Sequence, residues 1–305
     1  MSTTIFTVFT PTYNRAHTLH RVYESLLNQS FKEFEWIVVD DGSTDNTCDL
    51  IECWSQESWF PIRYFYQKNQ HKKVAFNRAA QEAYGDLFLG LDSDDRCVPE
   101  ALEKLWKYWQ SIPVHHREDF SGVSVLCKDE LGQIVGDRFP KDILDSDSIE
   151  ILFRYKVHGD KWGFQRTSIL RTYPFPGDVD GLVPESVVWF RISRKFKTRY
   201  VNDPLLINYR ETDSITRSLN QVTRRADGRA LFAREILQHD WRWARYDPVA
   251  IFKEAIAYTY FHKFLRHRYT VRRWPLQGFV PKLLVSLTYP IAQLCYWRDV
   301  KQGVL

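Results

Sequence analysis

The 305-residue chain has only five cysteines, Cys48, Cys53, Cys97, Cys127 and Cys295. They are scattered, odd in number and lack metal-ligand spacing, which favours reduced, mostly buried thiols over a disulfide framework or a zinc site. The opening residues, MSTTIFTVFTPTYNRAH, lack the basic region, apolar core and cleavage site of a secretory leader. The chain is therefore expected to stay cytoplasmic. Internal repeats and low-complexity linkers are missing as well. No recognisable nucleic-acid motif occurs in the basic C-terminal part, so no nucleic-acid partner is expected. The longest apolar stretch, VPKLLVSLTYPIAQLCYW, contains Lys282 and is interrupted by Pro281 and Pro290, so a spanning helix of about 20 apolar residues is not the preferred reading.

What the sequence does hold is apolar and aromatic material for a large interior. It is 44% hydrophobic and 15% aromatic, with 11 tryptophans, enough for one large domain or one domain with an appendage. The net charge of +4 hides an asymmetry. From Arg224 onward lie 15 of the 42 Lys and Arg but only 6 of the 38 Asp and Glu, leaving the preceding part net acidic by about 5.

Nearly continuous apolar runs at Ile5 to Phe9, Trp36 to Val39, Ile62 to Tyr66 and Leu87 to Leu91 have strand length and suit a sheet covered on both faces. Helical patterns separate them. Leu19, Val22, Leu26 and Leu27 share one face, as do Val74, Ala75, Ala79 and Ala83, with Gly85 as the expected C′ residue. Alternation at this spacing predicts βαβ crossovers and a mainly parallel, Rossmann-like α/β sheet flanked by helices. Beyond Pro99, which suits a first helical turn, GVSVLCKDELGQIVGDRF reads as two strands about a turn near Asp129 to Gly132. TRYVNDPLLINYR reads as a further extended segment, and the chain after Tyr209 reads as helical.

In an open parallel sheet, ligands bind beyond the carboxyl ends of the strands. Three polar clusters are expected there: Thr10 to Asn14, Asp40 to Asp45, and Asp92 to Asp95. Gly42 permits a tight turn, and Ser43, Thr44 or Asp45 can cap the next helix, so part of the second cluster has a structural explanation. Asp92, Asp94 and Asp95 follow directly on a buried strand. Carboxylates so placed repel, and they suit a hard divalent cation with oxygen ligands and room for substrate phosphates, Mn²⁺ or Mg²⁺.

TVFTPTYNRAHTLHRVYESLLNQSFKEFEWIVVDDGSTDNT, followed by FNRAAQEAYGDLFLGLDSDD, resembles the family 2 glycosyltransferases, inverting enzymes of GT-A fold that use nucleotide-activated sugars. The resemblance is strong over about residues 4 to 110 and weaker to about 217. It implies a GT-A domain over 1–217, with a nucleotide-sugar half at 1–110 and an acceptor half at 111–217, followed by a basic, aromatic helical extension at 218–305. By position, Thr10, Pro11 and Tyr13 match the first nucleotide-contacting loop, and Asp41 matches the carboxylate that bonds the base, usually uracil. Asp94 and Asp95 match the acidic motif near the ribose and the metal-bound diphosphate, and Asp92 the leading Asp of more structural role. Lys73 lies where basic residues near the nucleotide are frequent, although the usual preceding glycine is absent.

An inverting transfer needs a base for the acceptor hydroxyl. The family often supplies it from a Glu-Asp pair at a helix start, and GLVPESVVWFRISRKF offers Glu185 at the first position with Ser186 replacing the second. The alternative reading of Glu185 is a helix-start residue that interacts with the dipole. Arg210 and Arg217 are candidates to close over the diphosphate and His158 to face the acceptor. Trp162 and Trp189 are candidates to stack on a sugar, with core packing the plainer reading of both.

Lys263, Arg266, Arg268, Arg272 and Arg273, with Tyr269, Trp274, Tyr296 and Trp297 nearby, suit anionic headgroups, so the extension is expected to attach peripherally to the cytoplasmic membrane face. An ordinary buried helix and a helix-mediated dimer are the competing readings. The resemblance, taken with the acidic cluster and the basic extension, implies a metal-dependent transferase moving sugar from a UDP-sugar type donor to a glycan or lipid-linked acceptor. A nucleotidyltransferase would be expected to show a glycine-rich first loop, which TPTYNRAH lacks. A noncatalytic nucleotide-sugar-binding relative is the remaining alternative.

Overall fold

Strand and helix alternate through the first ninety residues of the computed structural model, which describes residues 4–209, 221–265 and 274–302. The order is β1 (Phe6–Thr12), α1 (Ala16–Leu27), β2 (Phe34–Asp40), α2 (Thr47–Glu57), β3 (Ile62–Tyr66), α3 (Lys72–Glu82) and β4 (Leu87–Gly90). β1 pairs in parallel with β2, Phe6 opposite Phe34 through Thr12 opposite Asp40, and on its other side with β4. Every residue of β2 is buried, which is why its central run Trp36 to Val39 is apolar without alternation, with Glu35 and Asp40 buried at either side of it. On α1, Leu19, Val22 and Leu26 are fully buried, each contributing about 1.5–3 kcal/mol of hydrophobic stabilisation relative to exposure.

Beyond β4 come β5 (Arg96–Cys97), α4 (Ala101–Gln110), β6 (Phe120–Asp129), β7 (Ile143–Ser146), α5 (Ser148–Phe153), β8 (Lys161–Arg166), α6 (Thr167–Thr172), α7 (Ser186–Ser193) and β9 (Lys197–Asn208). The strands form one mixed sheet, ordered β3-β2-β1-β4-β8-β6-β9-β5, with β7 on β9. β8 runs antiparallel to both β4 and β6, whereas β6 and β9 are parallel.

Four expectations need correction. Only the first half of GVSVLCKDELGQIVGDRF is a strand. After the turn at Gly132, whose φ is positive, the chain touches β6 through the single bridge Lys128 to Ile134 and leaves the sheet. Gly85 does not close a helix. A Cβ there would lie 2.5 Å from Phe6 C and Thr7 N, so glycine allows the chain entering β4 to cross against β1. The cysteines are free thiols, but Cys48 and Cys53 are exposed. Pro290 interrupts nothing: α10 (Phe279–Lys301) runs through it.

The helices preceding α10 are α8 (Gln221–Glu235) and α9 (Pro248–Leu265), joined through a π-helical turn at Ile236–Asp240. Among the described residues, no helix is long and apolar enough to cross a membrane. The chain divides into two compact units. The first comprises Met1–Ile151, Val157–Phe175 and Arg191–Thr212 and contains the sheet. The second comprises Leu152–Lys156, Pro176–Phe190 and Asp213–Leu305.

Candidate active site

The loops after β1 and β2 are stitched into one body. The Asp41 amide donates to the Thr12 carbonyl (2.8 Å), and the Asn14 amide donates to Ser43 Oγ (2.8 Å). In return the Thr44 amide donates to Asn14 Oδ1 (2.8 Å), an exchange made possible by the left-handed backbone of Asn14 (φ 53°). Asp45 holds the first turns of two helices: Oδ1 accepts from Thr47 and Oδ2 from the Ala16 amide. Burial pushes its carboxyl pKa up, but these hydrogen bonds outweigh burial and hold it below the ordinary value.

Asp40 and Asp41, adjacent in sequence, are both buried and both bonded. Asp40 accepts from the Ser43 amide and Tyr64 Oη at 2.7 Å each. Asp41 Oδ1 accepts from Gln67 Nε2 (2.8 Å) and the Gln70 amide (2.9 Å).

The acidic loop follows β4, the strand beside β1, so all three clusters lie on the same carboxyl edge of adjacent parallel strands. Its carboxylates have different environments. Asp92 is half-exposed and pairs with Lys72 (2.8 Å), which bounds its stabilising effect at about 1 kcal/mol. Asp94 accepts through its carbonyl from Arg21 Nη1 (3.3 Å), and the Arg21 guanidinium lies 4.3 Å from the Tyr209 ring centre.

Asp95 is buried, accepting from Asn208 Nδ2 (2.9 Å) and the Tyr209 amide (3.1 Å). Burial first, then the negative charges of Asp92 and Asp94, push its pKa up to about 7 against those two hydrogen bonds. Two buried oxygens on this edge, Thr12 Oγ1 and Asn208 Oδ1, have no hydrogen-bond partner among the described residues, and the second belongs to the residue that holds Asp95. Oxygen donors beside crowded carboxylates fit a hard cation. Among the described residues, no three His, Cys, Asp or Glu side chains stand together so as to hold a metal ion by themselves.

The other sequence-derived candidates fall in varied settings. Tyr13 is 46% exposed and Pro11 half-buried, but the Thr10 hydroxyl is buried and accepts from Trp36 Nε1 (3.0 Å). Lys73 is buried in the first turn of α3. Trp162 is a core residue whose indole donates to the Gly90 carbonyl (2.6 Å), and His158 sits on an exposed turn with its amide on Asp137.

Glu185 is exposed and belongs to the second unit, and its carbonyl accepts from Val188 and Trp189 at the start of α7. Trp189 is half-buried. Arg210 and Arg217 lie outside the described residues. Arg21, Asn208 and Tyr209 escaped the sequence reading. Asn208 and Tyr209 close the last extended segment, but nothing in their spacing points 113 residues back to Asp95.

Residues 7–126 match the family described as "Glycosyl transferase family 2". This region is a family 2 glycosyltransferase domain. The uncharacterized glycosyltransferase alr2836 of Nostoc is 31% identical over 160 residues, 51% of this chain and 47% of that protein. TuaG of Bacillus subtilis, named for teichuronic acid biosynthesis, is 30% identical over 125 residues, 41% of this chain and 49% of that protein. The chain thus spans about half the length of these relatives. The structure of S. aureus TarS 1-349 in complex with UDP-GlcNAc superimposes with a TM-score of 0.61 at 21% identity, covering 88% of this chain and 74% of that one. At that identity the likeness is one of fold. The mixed sheet carrying the family 2 domain, flanked by helices, is the architecture of the GT-A glycosyltransferases.

Proposed function

We propose that the chain is an inverting glycosyltransferase that moves a sugar from a nucleotide diphosphate, a UDP-sugar, onto an acceptor hydroxyl in cell-surface polysaccharide or glycan assembly. It works in the cytoplasm at the inner membrane face, where a lipid-linked acceptor is presented. The observation that carries this reading is the meeting of Tyr13, Asp41, Asp94 and Asp95 on one carboxyl edge inside a family 2 domain. The UDP-GlcNAc held in the TarS complex and the name of TuaG support the donor and product classes.

In this reading Asp41, held by Gln67 and Gln70, receives the base, the Tyr13 ring lies against it, Thr10 and Pro11 shape the loop beneath, and Lys73 faces the nucleotide. Asp94 serves the ribose, and Asp94 and Asp95 hold Mn²⁺ or Mg²⁺. Bound there, the cation supplies positive charge to the departing diphosphate. Glu185 takes the proton of the acceptor hydroxyl as its oxygen bonds to the anomeric carbon and the bond to the diphosphate breaks on the opposite face.

A general base contributes about 10² to 10⁴-fold, so Glu185→Gln is expected to lower transfer by that factor with donor binding intact. Near-normal transfer would remove Glu185 from the role. Asp95→Ala is expected to cost at least as much and to abolish metal dependence, tested by donor hydrolysis across a panel of nucleotide sugars with and without Mn²⁺.

A further inference from the structure

α10 is apolar on both sides, a pattern normal for a helix covered all round, yet only one side is covered. Pro281, Thr288, Ala292 and Tyr296 are buried, and Tyr260 of α9 reaches Asp299 (2.9 Å). The opposite side is open. Phe279 is 77% exposed, Leu294 72% and Leu287 61%, with Leu283, Ile291 and Trp297 exposed beside them. At 3.6 residues per turn, Phe279, Leu283, Leu287, Leu294 and Trp297 fall within about 80° of one another along a helix about 34 Å long. Of the 17 large hydrophobic residues exposed among the described residues, eight lie on this helix, which makes a patch rather than scatter.

We propose that this strip docks on the headgroup layer of an anionic bilayer, a proposal that rests on the membrane placement in the proposed function and deepens it. Charge favours that occupant. Lys282, Arg298 and Lys301 are exposed along the helix and at its end, and the chain from Arg224 onward holds 15 basic against 6 acidic residues. Trp297 and Tyr289, both about half exposed, suit the depth of the headgroups, and the Lys263 ammonium lies 4.4 Å from the Trp297 ring centre. A cleft of about 570 Å³, lined by Leu276, Lys282, Ser286 and Tyr289 among others, opens on the flank of the helix and offers a phosphate a recess beside the lysine.

A second copy fits less well. The seam from Leu283 to Trp297 covers only two heptads, includes Pro290 and runs into Lys301, whereas a coiled coil sustains its seam over about three to four. Two copies would also bring like-charged segments together.

Flotation of the full chain tests the proposal, using vesicles of phosphatidylcholine alone and with about 30% phosphatidylglycerol. The protein is expected to float with the anionic vesicles and to be released at about 0.5 M salt. The triple variant Leu283→Asp/Leu287→Asp/Leu294→Asp and the charge variant Lys282→Glu/Arg298→Glu/Lys301→Glu are each expected to lower partitioning by about tenfold or more. Both change exposed side chains, and circular dichroism checks that they remain folded. No flotation of the wild type, or flotation indifferent to both variants, overturns the proposal. So does a wild-type dimer in sedimentation that the aspartate variant dissociates, without vesicle binding. Donor hydrolysis measured without vesicles reads the transferase separately, so its failure would count against the sugar chemistry and leave the vesicle result standing.

Discussion

Asp45 illustrates how a residue inside a functional motif can owe its place to scaffolding. Its two oxygens serve the first residues of α1 and α2, so Asp45→Ala is expected to destabilise the protein by about 1 kcal/mol, within the range for a lost cap, read as a lower urea midpoint. Because its pKa is lowered by folding, that contribution is present above the ordinary carboxylate range and fades as pH falls through it. Asp95 has the opposite sign. Its raised pKa means that its contribution is greatest below the unfolded value and is lost as pH rises through about 7. Thermal melts of metal-free protein from pH 5 to 8 (~3 pH units) should therefore shift in favour of Asp95→Asn over wild type as pH rises. A difference independent of pH would contradict the burial argument. That one of Ser43, Thr44 and Asp45 caps the next helix was legible because small polar residues after a glycine turn are a local signal, but the choice of Asp45 rests on the path of the backbone. The bonds from Asn208 and Tyr209 were not, since they depend on the path of β9.

At the level of elements, periodicity and composition carried the first half well, because a strand covered on both faces writes a continuous apolar run. β3 has the bounds the sequence suggested, and β1, β2 and β4 differ from expectation by one to three residues at their ends. An apolar run with no neighbour to pair with is not a strand: Ile134 and Val135 have the composition of one and make a single bridge. At Gly85 the reason for glycine is another strand's backbone, which local sequence does not carry. Gly85→Ala is expected to cost at least about 1–3 kcal/mol, since the added carbon meets main chain rather than a movable side chain. Gly90→Ala, whose Cβ would meet nothing within 4 Å, is the matched control and should melt near wild type.

Across the whole molecule, the boundary between units is not a single cut in the chain. Leu152–Lys156 and Pro176–Phe190, sequence neighbours of the sheet, belong to the second unit. There Phe190 packs on Phe153 (6.3 Å) and on Phe232 of α8 (5.5 Å), and the backbone at Gly228 closely approaches Leu182. A chain ending at Tyr209 would leave Phe190 without Phe232 and Leu182 without the backbone of Gly228. It is expected to bind a hydrophobic dye and aggregate on heating instead of melting reversibly. Local pattern marked Glu185 as a helix start but could not assign its unit, because that membership is fixed by partners in α8 more than 40 residues downstream.

The anchoring of Asp95 by Asn208 and Tyr209 also bears on biosynthesis. A ribosome that has released the family 2 region through residue 126 has made every acidic residue of the loop but neither of its clamps. During translation, the carboxylate acquires its fixed orientation only after more than eighty further codons have been read. Contacts of such long sequence separation form late.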